Sequence, residues 1–362
     1  MEVSREDPAA ESVIVESRGA LPWCVLAAVL PAAMCGCVGP PPPGVDSTRA
    51  CIDAKTALLQ AAEDQSPQTR ANAMEALAQT VAGRSGRLFV QALGDESPAV
   101  RFAAAMAVGD VGHAPAKAPL LKMAADKNVE PDRRVLCAVI CALHSLGDDT
   151  HAGELGKLLF DREAEVRANA ALVMGKMGEP SAIGPLKTLL GDEQNTMVEL
   201  QVVESLALLG DPACTMRLEA YSKRPFLDER LVAISALARV RSQRAVPVLR
   251  ELLGQRNPLR VRVAAAGALG RLGQFEQEGF DLCMRAARDP QAVLAPPGTR
   301  GAGKNVPAEA SALAHEAAIS LGWMRNQQAV SVLHPLLSSP DGSVRVAAAM
   351  SILRLFSAQE AR

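Results

Sequence analysis

Val100-Arg101-Phe-Ala-Ala-Ala-Met-Ala-Val-Gly109 is one copy of a phrase that the chain repeats at Val166-Arg167-Ala-Asn-Ala-Ala-Leu-Val-Met-Gly175, Val261-Arg262-Val-Ala-Ala-Ala-Gly-Ala-Leu-Gly270 and Val344-Arg345-Val-Ala-Ala-Ala-Met-Ser-Ile-Leu353. Each copy is an Ala-rich helix that opens on Val-Arg. Using the Arg of each copy as a ruler gives positions 70, 101, 136, 167, 199, 230, 262, 314 and 345, most of them 31 or 32 residues apart. A period in the thirties means stacked helix pairs, each burying its apolar face only against its neighbours. Leu136, Glu199 and Ala314 replace the Arg in three copies, so the phrase is degenerate.

The ends of the repeated helix support this register. Ser66-Pro67, Ser97-Pro98 and Asn257-Pro258 each offer a capping oxygen followed by a Pro whose missing N–H is unneeded in the first turn. Gly112, Gly147, Gly178, Gly210 and Gly273 lie where the chain must turn left-handed to leave a helix. The first helix of each pair is shorter, as in Ala182-Ile-Gly-Pro-Leu-Lys-Thr-Leu-Leu190, with apolar residues recurring at three and four.

Composition agrees. Hydrophobic residues make up 49% and aromatics only 3%, a balance that favours closely packed helices over strands. At 362 residues the chain exceeds what one core supports, which an extended stack resolves. A net charge of -2 excludes bulk attraction to nucleic acid or to anionic membrane.

The pattern resembles HEAT repeats, in particular the short bacterial kind found in phycobilisome-lyase-like proteins, over residues 47–356. The resemblance implies an all-α, right-handed α-α superhelix of about nine helix pairs, with the second helices on the concave face. It also implies a ladder of hydrogen bonds between an Asp in the turn and an Arg in the second helix. Asp64 and Arg70, Asp95 and Arg101, and Asp161 and Arg167 match that spacing, six residues apart. Arg224, Arg256 and Ser339 stand at the Asp position elsewhere, so the ladder is expected mainly in the N-terminal half.

Ahead of the repeats, Leu21 to Val38 is an uncharged run that reads as the apolar region of an export signal. Met34-Cys35-Gly36-Cys37 resembles the bacterial lipobox, which implies cleavage after Gly36, a lipid on Cys37 and a membrane-anchored lipoprotein on the periplasmic face or outer membrane. An uncleaved anchor, a buried N-terminal helix and a cytoplasmic protein are the alternatives. Residues 1–18 hold Glu2, Glu6, Asp7, Glu11 and Glu16 against Arg5 and Arg18, which points to a true start near Val13 or Val15. The organisation expected is therefore 1–37 signal, 38–46 Pro-rich tether, 47–356 solenoid and 357–362 tail. An insertion at about 290–308 is expected to form a long mobile loop.

Catalytic signatures are absent from the sequence, and no cofactor is called for. His315-Glu316 resembles the His-Glu repeats of deoxyhypusine hydroxylase, a HEAT-repeat enzyme. None of His113, His144, His151 and His334 is followed by Glu, and one pair cannot hold two irons. Cys137 and Cys141 share a helix face and read as small core residues.

A binding surface is the more substantial candidate. Residues 217–271 carry twelve Lys or Arg against four acids. Arg230, Arg239, Arg241, Arg244, Arg250 and Arg260 are the candidates for contact with a protein partner of acidic character. The function expected is a non-enzymatic interaction scaffold, with a lyase-like or metal-dependent subunit and a nucleic-acid-binding protein as the alternatives.

Overall fold

The protein is described by a computed structural model covering residues 46–294 and 306–360. Nineteen α-helices account for these residues, and no strand is found among them. The first repeat is α1 (Ser47–Ala61) and α2 (Pro67–Thr80), the second α3 (Ala82–Ala92) and α4 (Pro98–Val111), the third α5 (Lys117–Ala125) and α6 (Arg133–Ser145). The fourth is α7 (Leu155–Leu158) and α8 (Ala164–Met177), the fifth α9 (Ile183–Asp192) and α10 (Thr196–Leu208), the sixth α11 (Pro212–Tyr221) and α12 (Leu227–Val240). The seventh is α13 (Val246–Leu252) and α14 (Leu259–Arg271). The eighth is α15 (Gln277–Arg288) and α17 (Val306–Trp323) with the short α16 (Pro290–Leu294) between them, and the ninth is α18 (Val330–Leu336) and α19 (Gly342–Glu360).

Capping explains where these helices start and stop. Ser66 caps α2, accepting from the Thr69 amide at 3.4 Å, whereas Ser97 makes no side-chain cap on α4. There Asp95 holds the turn instead, accepting from the Ser97 amide at 2.8 Å. Asn257 lies outside α14, whose N-cap position is Pro258. All five expected glycines have positive φ, between 62° and 94°. Arg241 (φ 56°) and Arg325 (φ 53°) take the same left-handed position after α12 and α17. The insertion is shorter than expected at both ends, since residues 290–294 are helical and Pro307 falls in the first turn of α17, where a proline is tolerated. Its remaining residues, like Cys37 and the tether, lie outside the described residues.

The stack closes on itself. The second helices α2, α4, α6, α8, α10, α12, α14, α17 and α19 pack each on the next, and α19 then packs on both α1 and α2. One apolar core runs through this closure, joining Ile352, Leu353 and Leu333 of the last repeat to Ala54, Leu58 and Leu77 of the first. A second core, centred on Leu186, Leu206, Leu237 and Leu249, fills the opposite side. Where α19 begins, a Cβ on Gly342 would stand 2.7 Å from Thr69 Cγ2, so any larger residue would have to displace that buried side chain. The same logic applies between α14 and α17, where a Cβ on Gly267 would meet the Ser320 Cα at 2.8 Å. Polar contacts complete the seam: Asn72 donates to Ser343 Oγ at 3.2 Å, Arg354 to Gln79 Oε1 at 2.5 Å, and Arg345 to Asp64 at 2.7 Å.

Candidate functional site

The ruler arginines serve the stack itself. Arg70 donates Nη1 to the Asp64 backbone carbonyl at 3.0 Å, and its Nε and Nη2 to Asp95 of the next repeat at 2.9 and 2.8 Å. Arg101 does the same with the Asp95 carbonyl and the fully buried Glu130, and Arg167 with the Asp161 carbonyl and Glu193. Each Arg therefore reaches the residue six back through its main chain, and takes its carboxylate from the following repeat. Each Asp side chain also holds its own turn, as where Asp64 Oδ1 accepts from the Ser66 amide and Asp161 Oδ1 from the Glu163 amide. In repeat three, where Leu136 replaces the Arg, Arg133 takes over and pairs with Asp161. The last rung is Arg345 with Asp64, so the ladder ends on the carboxylate where it began.

Only part of the basic stretch gathers on one groove, Arg239 and Arg260 lining the same opening. Arg230 is a ladder residue, donating to the Ser222 carbonyl at 3.0 Å and to Asn257 Oδ1 at 2.6 Å. Arg250 sits on α13, paired with Glu276 at 2.7 Å, while Arg244 is exposed in the turn before that helix. Arg239 pairs with the buried Glu204, and Arg260 with Glu316 at 3.4 Å. Glu204, Glu276 and Glu316 all lie outside the stretch, so much of its excess positive charge is offset in space by residues distant in sequence.

Openings lie on the wall built by the second helices. The ion pair of Asp110 on α4 with Lys176 on α8, at 2.5 Å, skips α6 and so identifies this wall as the concave one. In the first half a cavity of about 530 Å³ spans α2, α4, α6 and α8. Phe102 and Ala103 are among its apolar lining, Gln68, Asn72 and Asn169 among its amides, and Glu75, Arg134 and Glu165 among its charges. Arg134 is held by Asp132 at 2.7 Å and by Glu165 at 2.5 Å, which raises its pKa above the ordinary guanidinium value. A cavity of about 370 Å³ opens in the second half, lined by Asp228, Ser235, Arg239, Arg260 and Glu316. Burial holds the Glu316 carboxyl above its usual range, and Arg260 only partly counters it.

Beside that second cavity, Trp323 at the end of α17 is flanked by two guanidiniums. Arg271 lies over its ring at 4.6 Å from α14, and Arg354 at 3.8 Å from α19. Arg271 Nε and Arg354 Nη1 are buried without a hydrogen-bond partner, and neither residue forms an ion pair among the described residues. Burial, reinforced by the charge of Arg271, lowers the Arg354 pKa to about 10. Burial also lowers that of Arg271, with further contributions from Arg239 and Arg241. The sequence reading missed Trp323 and Arg354, although a signal was present. Arg239, Arg271, Trp323 and Arg354 each stand nine residues after a ruler position, in four consecutive repeats, whereas Gln79, Asp110, Ser145 and Lys176 occupy that place in the first four.

His315 and Glu316 diverge, His315 Nδ1 lying 3.1 Å from the Ser343 carbonyl and Glu316 facing Arg260. Among the described residues no group of three or more His, Cys, Asp or Glu is placed to hold a metal ion. Cys137 and Cys141 are buried, and burial pushes their thiols up to about 12 and about 11. They are packing residues with little thiolate at neutral pH.

A closed wall of helix pairs bound by an arginine ladder defines a helical-repeat solenoid. A family model for HEAT repeats matches residues 56–141, 128–207 and 215–295, more than half of the chain, so the protein belongs to the HEAT-repeat family. No curated protein matches it. Among solved structures, it is similar to the complex of CpcE and CpcF of phycocyanin lyase from Nostoc sp. PCC7120, at 18% identity over 63% of this chain and 91% of that one, with a TM-score of 0.42. Human deoxyhypusine hydroxylase in complex with glycerol matches at 19% identity over 68% and 97%, TM-score 0.30. An engineered protein matches at 16% identity over 84% and 98%, TM-score 0.28.

Proposed function

We propose that the chain is a non-enzymatic protein-binding scaffold, held at a membrane surface by a lipid on Cys37, that grips its partner on the concave wall of the first four repeats. The observation that supports this reading most is the cavity of about 530 Å³ shared by four consecutive second helices. A half-buried aromatic side chain, amides and charges of both signs in one opening resemble the apolar centre and polar rim of a protein interface. Spreading those groups over four repeats lets affinity arise from many modest contacts on a preformed surface. The membrane anchor rests on the Met34-Cys35-Gly36-Cys37 motif, and none of the described helices is long and apolar enough to cross a membrane.

A photo-crosslinking side chain at Phe102 in the native host tests the first part. A defined protein adduct is expected, reduced at least tenfold by Gln68→Ala with Asn169→Ala, on the scale of removing two interfacial hydrogen bonds. Crosslinks to nucleic acid, or an adduct indifferent to both substitutions, would contradict the reading. Cys37→Ala should move the protein from the membrane to the soluble fraction, and an unchanged distribution would remove the anchor.

A further inference from the structure

The second half of the concave wall carries cations that no carboxylate fully neutralises. In repeats six to nine the position nine residues after the ruler is Arg239, Arg271, Trp323 and Arg354. Two residues further on, where Gly112, Gly147, Gly178 and Gly210 close the earlier second helices, Arg241 and Arg325 close α12 and α17 in the left-handed conformation. A side chain there costs energy that glycine does not, so these two positions carry a charge at the expense of backbone strain. Arg241 lies close enough to Arg271 to depress its pKa.

Desolvated cations stacked on one indole repel one another, and the unsatisfied N–H groups add to that cost. Arg271 lies in the last turn of α14, whose negative end favours it, and the indole face favours both guanidiniums. Glu75 and Glu204 are the acids whose charges reach Arg271, but Glu204 is bonded to Arg239 and Glu75 accepts from Gln79 at 3.0 Å. Arg354 Nη2 is engaged by Gln79 and by Met350 Sδ at 3.4 Å, which leaves its Nη1 and the Arg271 Nε as buried donors without a partner.

We propose that Arg271, Trp323 and Arg354, with Arg241 on the same rim, form a binding site for a tetrahedral oxyanion of the phosphate type. The two guanidiniums reach Trp323 from different helices, one on each side of α17 in the ring. A planar carboxylate fits one guanidinium fork, whereas a tetrahedral anion offers oxygens in several directions and can accept from both. The indole keeps the guanidinium planes ordered before the anion arrives.

Trp323 is its own reporter. In the full chain carrying Trp23→Phe it is the single tryptophan, so its emission reads the cation stack directly. Titration with sodium phosphate should change that emission saturably, with a midpoint on the order of 1 mM. Sodium sulfate should act in the same way, and sodium chloride or acetate at matched ionic strength should not. Arg271→Gln and Arg354→Gln should each weaken the response at least about tenfold, as loss of a charge-assisted hydrogen bond does. Arg241→Gly, an exposed change that keeps the fold, should weaken it a few-fold, and Glu75→Gln should strengthen it. An acetate or chloride response equal to that of phosphate overturns the proposal. So does an undiminished phosphate response in Arg241→Gly together with Arg354→Gln.

Discussion

The two halves of the ring put the same residue type to different uses. In repeats one to four, Arg70, Arg101, Arg133 and Arg167 each reach a carboxylate one repeat ahead, and the concave wall carries amides and mixed charges. In repeats six to eight the ladder thins to Asn257 and to backbone carbonyls, returning to a carboxylate only where Arg345 meets Asp64, and arginines collect on the wall instead. A helix pair can be held in the stack by its apolar face with few ion pairs, as the second half demonstrates. The first half therefore reads as frame and partner surface, the second as frame and charge. This difference is exposed most directly by removing equivalent arginines. Arg101→Met strands Glu130, whose side chain is 0% exposed, and should cost about 3–5 kcal/mol. Arg262→Met loses one bond to the Leu253 carbonyl and a 3.6 Å pair with the exposed Glu278, so its cost should be about 1 kcal/mol. Urea unfolding of the two variants checks this, and equal losses would erase the distinction.

Acid should separate the halves next. Arg167 holds the Glu193 carboxyl below its ordinary value, and Arg134 does the same for Asp132. Carboxyls whose folded pKa is depressed stabilise the fold above their unfolded pKa, and that stability is lost as pH falls through the folded value. Glu316 in the second half runs the other way. Its folded pKa is raised, so its ionised form weakens the fold, and protonation as pH falls removes that cost. Below about pH 4, the ordinary carboxyl range, amide exchange should therefore rise first in α6, α8 and α10, and only later in α14 and α17. Simultaneous loss in both halves would show that the ring melts as one unit regardless of where its carboxylates lie.

The repeat register carried a large part of this architecture into the sequence. Nine ruler positions mark the nine second helices, and the glycines at 112, 147, 178, 210 and 273 adopt the left-handed turn that ends five of them. Closure was not legible, because it depends on the small rotation per repeat summed over nine of them, a quantity no single repeat encodes. The partners of the ladder were obscured for a related reason. Spacing within a repeat suggested Asp64 with Arg70, whereas the carboxylate that Arg70 takes, Asp95, is 25 residues away. The basic stretch misled because charge was summed along the chain, and Glu199, Glu204, Glu276 and Glu316 approach it only in the folded state. Trp323 and Arg354 went unseen since each is unremarkable alone. Only alignment of the repeats places them in one row with Arg239 and Arg271.

The smallest effect tests whether that row is retained for a purpose. Arg241→Gly and Arg325→Gly replace strained side chains with the residue that closes five other second helices. Relief of the left-handed strain is worth about 1–2 kcal/mol. Part of it is offset by the lost attraction of a cation to the helix C-terminus, about 0.3–1 kcal/mol, and by the greater freedom of glycine in the unfolded chain. Each variant should thus be more stable in urea by about 0.5 kcal/mol, while Arg241→Gly also weakens the phosphate response of Trp323. A gain in stability coupled to a loss of anion binding is the signature of residues kept for the ligand. Variants that lose stability instead would show that the arginines brace the turn, and the two halves would then differ in packing alone.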